Sequence, residues 1–110
     1  MQFLKFKIFE EFAGDVLCAF TLRGLDFGLR SNNDTENLRK NYHGLCEEFG
    51  LDEKKLVLAY QEHTDKVVVV GDDSSGAASQ RIYGLNKPFS GVDAFITNKP
   101  GLALIVQVAD

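Results

Sequence analysis

The chain has 110 residues, 45% hydrophobic and 25% charged, with a net charge of −4. That describes one small domain able to bury roughly 60% of its unfolded surface, and it excludes multidomain enzymes, collagens, coiled coils and disulfide-stapled mini-proteins. The acidic balance argues against a nucleic-acid partner bound through its phosphates, and apolar runs such as Val67 to Val70 and Leu102 to Val106 are too short to span a membrane.

Met1 to Phe12 alternates in a strand pattern with aromatic weight on both faces, and Gly14-Asp15 is a turn signal. Asp15 to Leu22 then reads as the return strand of a hairpin. Arg23 to Asn33, with two glycines and a polar cluster, reads as a loop. Asn33 or Asp34 supplies a capping acceptor for a helix over about residues 34–49, and Glu36 sits where a capping box following Asn33 needs it. Leu38, Tyr42, Leu45, Cys46 and Phe49 make its apolar face, and Gly50 ends it.

Leu56 to Gln61 reads as a strand, Glu62 to Asp65 as a turn, and Lys66 to Val70 as a strand whose consecutive valines predict burial on both faces. The segment GDDSSGAASQ, Gly71 to Gln80, has no periodicity and reads as a loop, with a short strand expected at Arg81 to Tyr83. Val92 to Thr97 and Gly101 to Val108 read as strands around the turn Asn98-Lys99-Pro100-Gly101. The predicted class is α+β, a mixed and largely antiparallel sheet with one main helix, in a single domain covering 1–110.

Few residues carry chemistry. His63, in Gln-Glu-His-Thr-Asp-Lys between two strands, is placed for a metal ligand or an acid–base group, or stands as an exposed turn histidine. His43 falls off the helix's apolar face and reads as solvated. The two cysteines, Cys18 and Cys46, read as small hydrophobes with reduced thiols, which together with the lack of a signal-peptide pattern makes the cytoplasm the expected location. Asp72-Asp73 reads as solvated rather than cation-binding, and the glycine-rich loop lacks the lysine and following helix of a phosphate cradle. Asp93 interrupts an apolar strand and Asp110 follows an apolar run. A carboxylate in either place must be paired, hydrogen-bonded or neutralised, as a structural cap or as part of a site.

These pieces, in order from about Ala19 to Asp110, resemble the YfiH-like proteins, also labelled laccase-domain or polyphenol oxidase proteins. Phe20-Thr21-Leu22-Arg23 is similar to the family's Phe-Ser-Thr-Arg, and Leu25-Asp26-Phe27-Gly28 to its Leu-Asn-Leu-Gly. Asn33-Asp34 stands where the family has Asp-Asp, and Gln61-Glu62-His63 resembles its Gln-Val-His. Val92-Asp93-Ala94-Phe95-Ile96-Thr97 with its Pro-Gly turn resembles Ala-Asp-Ala-Leu-Val-Thr, and Ala109-Asp110 resembles the start of Ala-Asp-Cys. The resemblance implies a zinc-containing purine nucleoside phosphorylase with adenosine deaminase activity, acting on a purine nucleoside and phosphate. It implies His63 as a metal ligand, Arg23 as a phosphate or substrate contact, and Asp110 as a catalytic group orienting or polarising a ligand.

The chain departs from that pattern in ways that bear on activity. The family's cysteine ligand falls just after Asp110 and its second histidine later still, so the metal site is incomplete here. The Gly-Gly-Val-Ser loop is missing between Gly24 and Leu25, Tyr42 replaces the arginine of Asn-Arg, and Thr64 replaces the glycine after the histidine. The expectation is therefore an N-terminal portion of a protein roughly twice as long, inactive alone. The alternative is a non-catalytic or degenerate binding domain, and exposed sheet edges predict self-association. Copper is disfavoured, because a blue-copper centre needs two histidines and a cysteine brought together.

Overall fold

A computed structural model of the chain describes residues 2–12, 14–22, 24–71 and 89–108. Among them one helix, α1 (Thr35–Phe49), accompanies eight short strands: β1 (Phe3–Lys5), β2 (Ala19–Thr21), β3 (Leu56–Val57), β4 (Ala59–Tyr60), β5 (Val67–Val69), β6 (Phe89–Ser90), β7 (Ala94–Ile96) and β8 (Ala103–Leu104). The class is α+β, as expected. No helix among the described residues is long and apolar enough to cross a membrane.

The helix forms where local signals place it. Asp34, in extended conformation (φ −86°, ψ 99°), caps its start by accepting the Asn37 N–H at 3.1 Å, which satisfies a backbone donor that the first turn leaves open. At the other end Gly50 takes the left-handed conformation (φ 66°, ψ 35°), and its N–H and that of Leu51 return to the Cys46 carbonyl. The apolar face buries Leu38, Tyr42, Leu45 and Cys46, with Phe49 packed at the edge. Cys46 is a packed hydrophobe whose thiol is pushed up to about 11, by burial first and then by the nearby Glu53 and Asp52 charges.

The helix packs on the stretch Leu56 to Tyr60. Leu56, Val57 and Leu58 have no exposed surface, and their side chains alternate between two cores. Leu56 and Leu58 join the helix residues and Leu29, while Val57 joins Val70 on the opposite side. The same stretch pairs on both edges. β3 runs parallel to β8, with Leu56 opposite Ala103, and β4 runs parallel to β6, with Ala59 opposite Phe89.

The described strands form four two-stranded sheets rather than one, with both orientations among them, and the balance leans the other way from the antiparallel prediction. Of the four described strand pairs only β1–β2 is antiparallel, while β3–β8, β4–β6 and β5–β7 are parallel. The turns at Glu62 to Asp65 and Asn98 to Gly101 form but do not close hairpins, because the strands on either side pair elsewhere. A stretch buried on both faces suits a parallel ladder, and its partners must then come from distant sequence.

Two further expectations are corrected. Met1 to Phe12 is not one strand: the ladder ends at Lys5, and Lys7–Phe12 winds into a 3-10 helix whose Phe12 carbonyl accepts from Asp15 and Val16. The valine strand is not buried on both faces. Val67 and Val69 are 59% and 78% exposed, while Val70 is buried, since only one face of the pleat meets the second core. The expected loop and strand of 72–83 lie outside the described residues.

His43 is exposed, as expected, yet it is not simply solvated. Its Nε2 lies 3.1 Å from Glu47, and its Nδ1 contacts Glu53 in the short 3-10 turn after the helix. Two acceptors on two ring nitrogens suit the imidazolium, and Glu53 foremost raises its pKa above 6.5. The stabilisation is therefore fully present below pH 6.5 and lost as pH rises through the raised value. The urea midpoint should fall across that interval, and Glu53→Gln should flatten the dependence. Removing the cap with Asp34→Ala should lower stability by about 1 kcal/mol in urea unfolding.

Candidate functional site

The buried stretch Leu56 to Tyr60 delivers Gln61, Glu62 and His63 at its end, where Gln107 ties down the first and Asp93 the other two. Gln61 acts first. Its side-chain amide donates to the Gln107 carbonyl and its side-chain carbonyl accepts the Gln107 N–H, both at 2.7 Å. A side chain here replaces one rung of a backbone ladder, binding the end of β4 to the segment after β8. Gln107 in turn donates to the Phe27 carbonyl at 2.5 Å and to the Tyr42 hydroxyl at 3.1 Å, and that hydroxyl donates to Phe27 at 2.7 Å. Tyr42 has no exposed surface, and burial drives its phenol well above the ordinary range. The residue standing where the family's arginine is expected is thus part of the core and contacts no solvent.

Asp93 holds the turn itself. One carboxylate oxygen accepts the N–H groups of Glu62 (3.1 Å) and His63 (2.9 Å), and the other accepts the Thr64 N–H at 2.8 Å. The Thr64 hydroxyl lies 2.8 Å from Asp93 and 3.0 Å from the Gly91 carbonyl, sharing its single hydrogen between them. The Thr64 N–H, followed by its hydroxyl and the His63 and Glu62 N–H groups, holds the carboxyl well below the usual range, at about 2. Asp93 is partly buried and fully hydrogen-bonded, one of the alternatives its apolar setting allowed. His63 sits at φ 58°, the one non-glycine residue with positive φ among those described, and its side chain is exposed.

Arg30 completes the surroundings, a loop arginine that no motif singles out. Its guanidinium donates to the Gln61 carbonyl at 2.6 Å, lies 3.6 Å from the Glu62 carboxylate and stacks over Tyr60 with 5.2 Å to the ring centre. Its loop is braced by Asn32 and Asn41, which both donate to the Asp26 carbonyl and to the Asn37 side chain. A broad open concavity of about 1540 Å³ takes in Arg30, Tyr60, Gln61, His63 and Gln107. It exceeds the roughly 300–1,000 Å³ of ordinary ligand pockets, which marks an open surface.

Of the three site residues expected, His63 stands at this surface, and Arg23 and Asp110 lie outside the described residues. Among the described residues no three of His, Cys, Asp and Glu come together as a metal site.

The model of a family described as multi-copper polyphenol oxidoreductase laccase matches residues 14–110. Among solved structures, the hypothetical protein YfiH of Bacillus licheniformis superposes with a TM-score of 0.66 at 22% identity over 74% of this chain, a likeness of fold. The chain spans 29% of the length of that protein. No protein of curated function matches it.

Tyr42→Phe removes the hydroxyl that joins Phe27 to Gln107 and leaves Gln107 short of a partner. It should cost about 1–2 kcal/mol in urea unfolding, while the amide resonances of residues 62–64, held by Asp93, stay in place.

Proposed function

Since the chain belongs to the multi-copper polyphenol oxidoreductase laccase family, that of the YfiH-like proteins, we propose that it is the N-terminal portion of a zinc-dependent purine nucleoside phosphorylase that also deaminates adenosine. We propose further that its 110 residues are inactive alone. The observation that carries this reading is the placement of His63: the histidine of the Gln-x-His motif is exposed on a turn fastened through Gln61 on one side and Asp93 on the other. The motif resemblance supplies the chemistry and the braced turn supports it.

A catalytic zinc needs about three protein ligands. His63 is one, and the described residues gather no second and third around it. Zinc therefore does not fit the described residues by themselves. A blue-copper centre fits less well still, because His43 is engaged by Glu47 and Glu53 while Cys46 is buried with a raised pKa. What this chain contributes under the proposal is His63 as one ligand, Arg23 as the contact for phosphate or substrate, and Asp110 as an orienting carboxylate.

The same shortage of ligands favours a second reading, a non-catalytic binding domain. Two measurements separate the readings. Metal analysis of the purified 110-residue chain should find far less than one zinc per chain; stoichiometric tight zinc would refute the one-ligand argument. The protein continued past Asp110 by its gene should release free base from inosine when phosphate is present and deaminate adenosine. Failure of both reactions leaves the binding-domain reading.

A further inference from the structure

Asp93 is the residue that the proposed chemistry leaves without a role, although it lies in one of the most distinctive stretches of the sequence, Val92-Asp93-Ala94-Phe95-Ile96-Thr97. It is not a lone cap. A turn can be closed by one bond from a neighbouring Asp or Ser, but here the carboxylate arrives from a different part of the chain, some 30 positions on. It receives three consecutive backbone N–H groups together with a hydroxyl. Such a concave run of N–H groups wraps an anion and loses its shape when the anion goes.

The middle residue of that run is His63, and it is the one held in the left-handed conformation. That backbone state is unfavourable for a side chain of this size and persists only where the surroundings impose it. Two further features serve the same end. Gly91, at φ 69°, turns the chain so that its carbonyl meets the Thr64 hydroxyl, and the Asp93 N–H donates to the Lys66 carbonyl just beyond the turn. Thr64, standing where the resemblance expects glycine, adds a bond that glycine cannot make.

We propose that Asp93 is a positioning residue for His63: its carboxylate, gripping the three N–H groups and the Thr64 hydroxyl, fixes the left-handed backbone so that the side chain leaves the turn in one direction before any ligand arrives. The proposal rests on the reading of His63 as a ligand-binding group. Pre-setting a ligand removes the ordering cost otherwise met at binding, which is what support around a metal ligand supplies. Asp93 itself touches neither ligand nor metal in this scheme.

The test is NMR on the 110-residue chain. A left-handed His63 gives a strong NOE between its own amide and α protons, and the amides of residues 62–64 report the bonds to Asp93. Asp93→Asn should weaken the His63 signature and shift all three amides, because the charge and one of the two accepting oxygens are lost and an amide nitrogen cannot accept. Thr64→Val, which keeps shape without the hydroxyl, should weaken the signature, and Thr64→Ser should restore it. Val68→Ala serves as the control: it loosens the second core and lowers thermal stability, and His63 should keep its signature. An undiminished signature in Asp93→Asn, or equal loss in Val68→Ala, overturns the proposal. Zinc ion titrated into the wild-type chain reads the ligand role separately through the imidazole nitrogens. Where they respond, Asp93→Asn should respond several-fold more weakly, and an equal response overturns the positioning role. A wild-type ring indifferent to zinc is the outcome that one ligand alone predicts, and the backbone signature then decides for or against the clamp.

Discussion

Burial of Leu56, Val57 and Leu58 is the constraint from which the rest of the structure follows. These residues present apolar side chains to two different cores, one built on α1 and one on Val70, so the backbone between them cannot turn to water for its hydrogen bonds. It must pair on its edges, and β8 and β6 supply that pairing from distant sequence. Once the stretch is held on four sides its exit is determined. Gln61, Glu62 and His63 leave the core at one place, beside the segment that carries Gln107 and within reach of the chain that carries Asp93.

The two attachments at that exit differ in kind. The links among Gln61, Gln107, Tyr42 and the Phe27 carbonyl are between neutral groups and lie partly or wholly inside the fold. Their contribution comes chiefly from the cost of leaving a donor or acceptor unmatched away from water. The Asp93 attachment is made by a full negative charge near the surface, and charge-assisted bonds of this sort are shorter and stronger than neutral ones. The first fixes where the turn begins. The second fixes its internal shape, including the left-handed state of His63. A histidine braced only at Gln61 would be correctly located and free to reorient.

The helix was legible because everything that defines it is local: the cap at Asp34, the apolar spacing from Leu38 to Phe49, and the left-handed stop at Gly50 all act within a few residues. Strand positions were legible for the same reason, at Leu56 to Tyr60 and Ala94 to Ile96. Strand partners were not, since nothing near Leu56 indicates Ala103, and turn signals at 62–65 and 98–101 invited hairpins that the two-sided burial of the central stretch overrides. The valine run misled because β-branching reports preference for a strand and says nothing of how many faces are covered. At the site, Asp93 was legible as a carboxylate that needed partners, while the partners themselves were not. Arg30 was invisible, because a loop arginine shows no sign of the carbonyl it meets 31 positions away.

Arg30 also shows why proximity to His63 does not make a binding group. Its guanidinium reaches the entry of the turn through a hydrogen bond to the Gln61 carbonyl, and a phosphate or a substrate oxygen would seek such a group. Yet the same guanidinium already donates to the Gln61 carbonyl, faces the Glu62 carboxylate at 3.6 Å and rests on the Tyr60 ring. An anion approaching it would meet Glu62 as well, and the exposed pair contributes little stability to offset that repulsion. The geometry makes Arg30 a brace that ties its asparagine-supported loop to the start of the turn. Arg30, Gln107 and Asp93 thus hold the His63 turn and its entry at Gln61 from three separate segments of the chain, which is how a short exposed segment keeps one shape at the edge of an open surface.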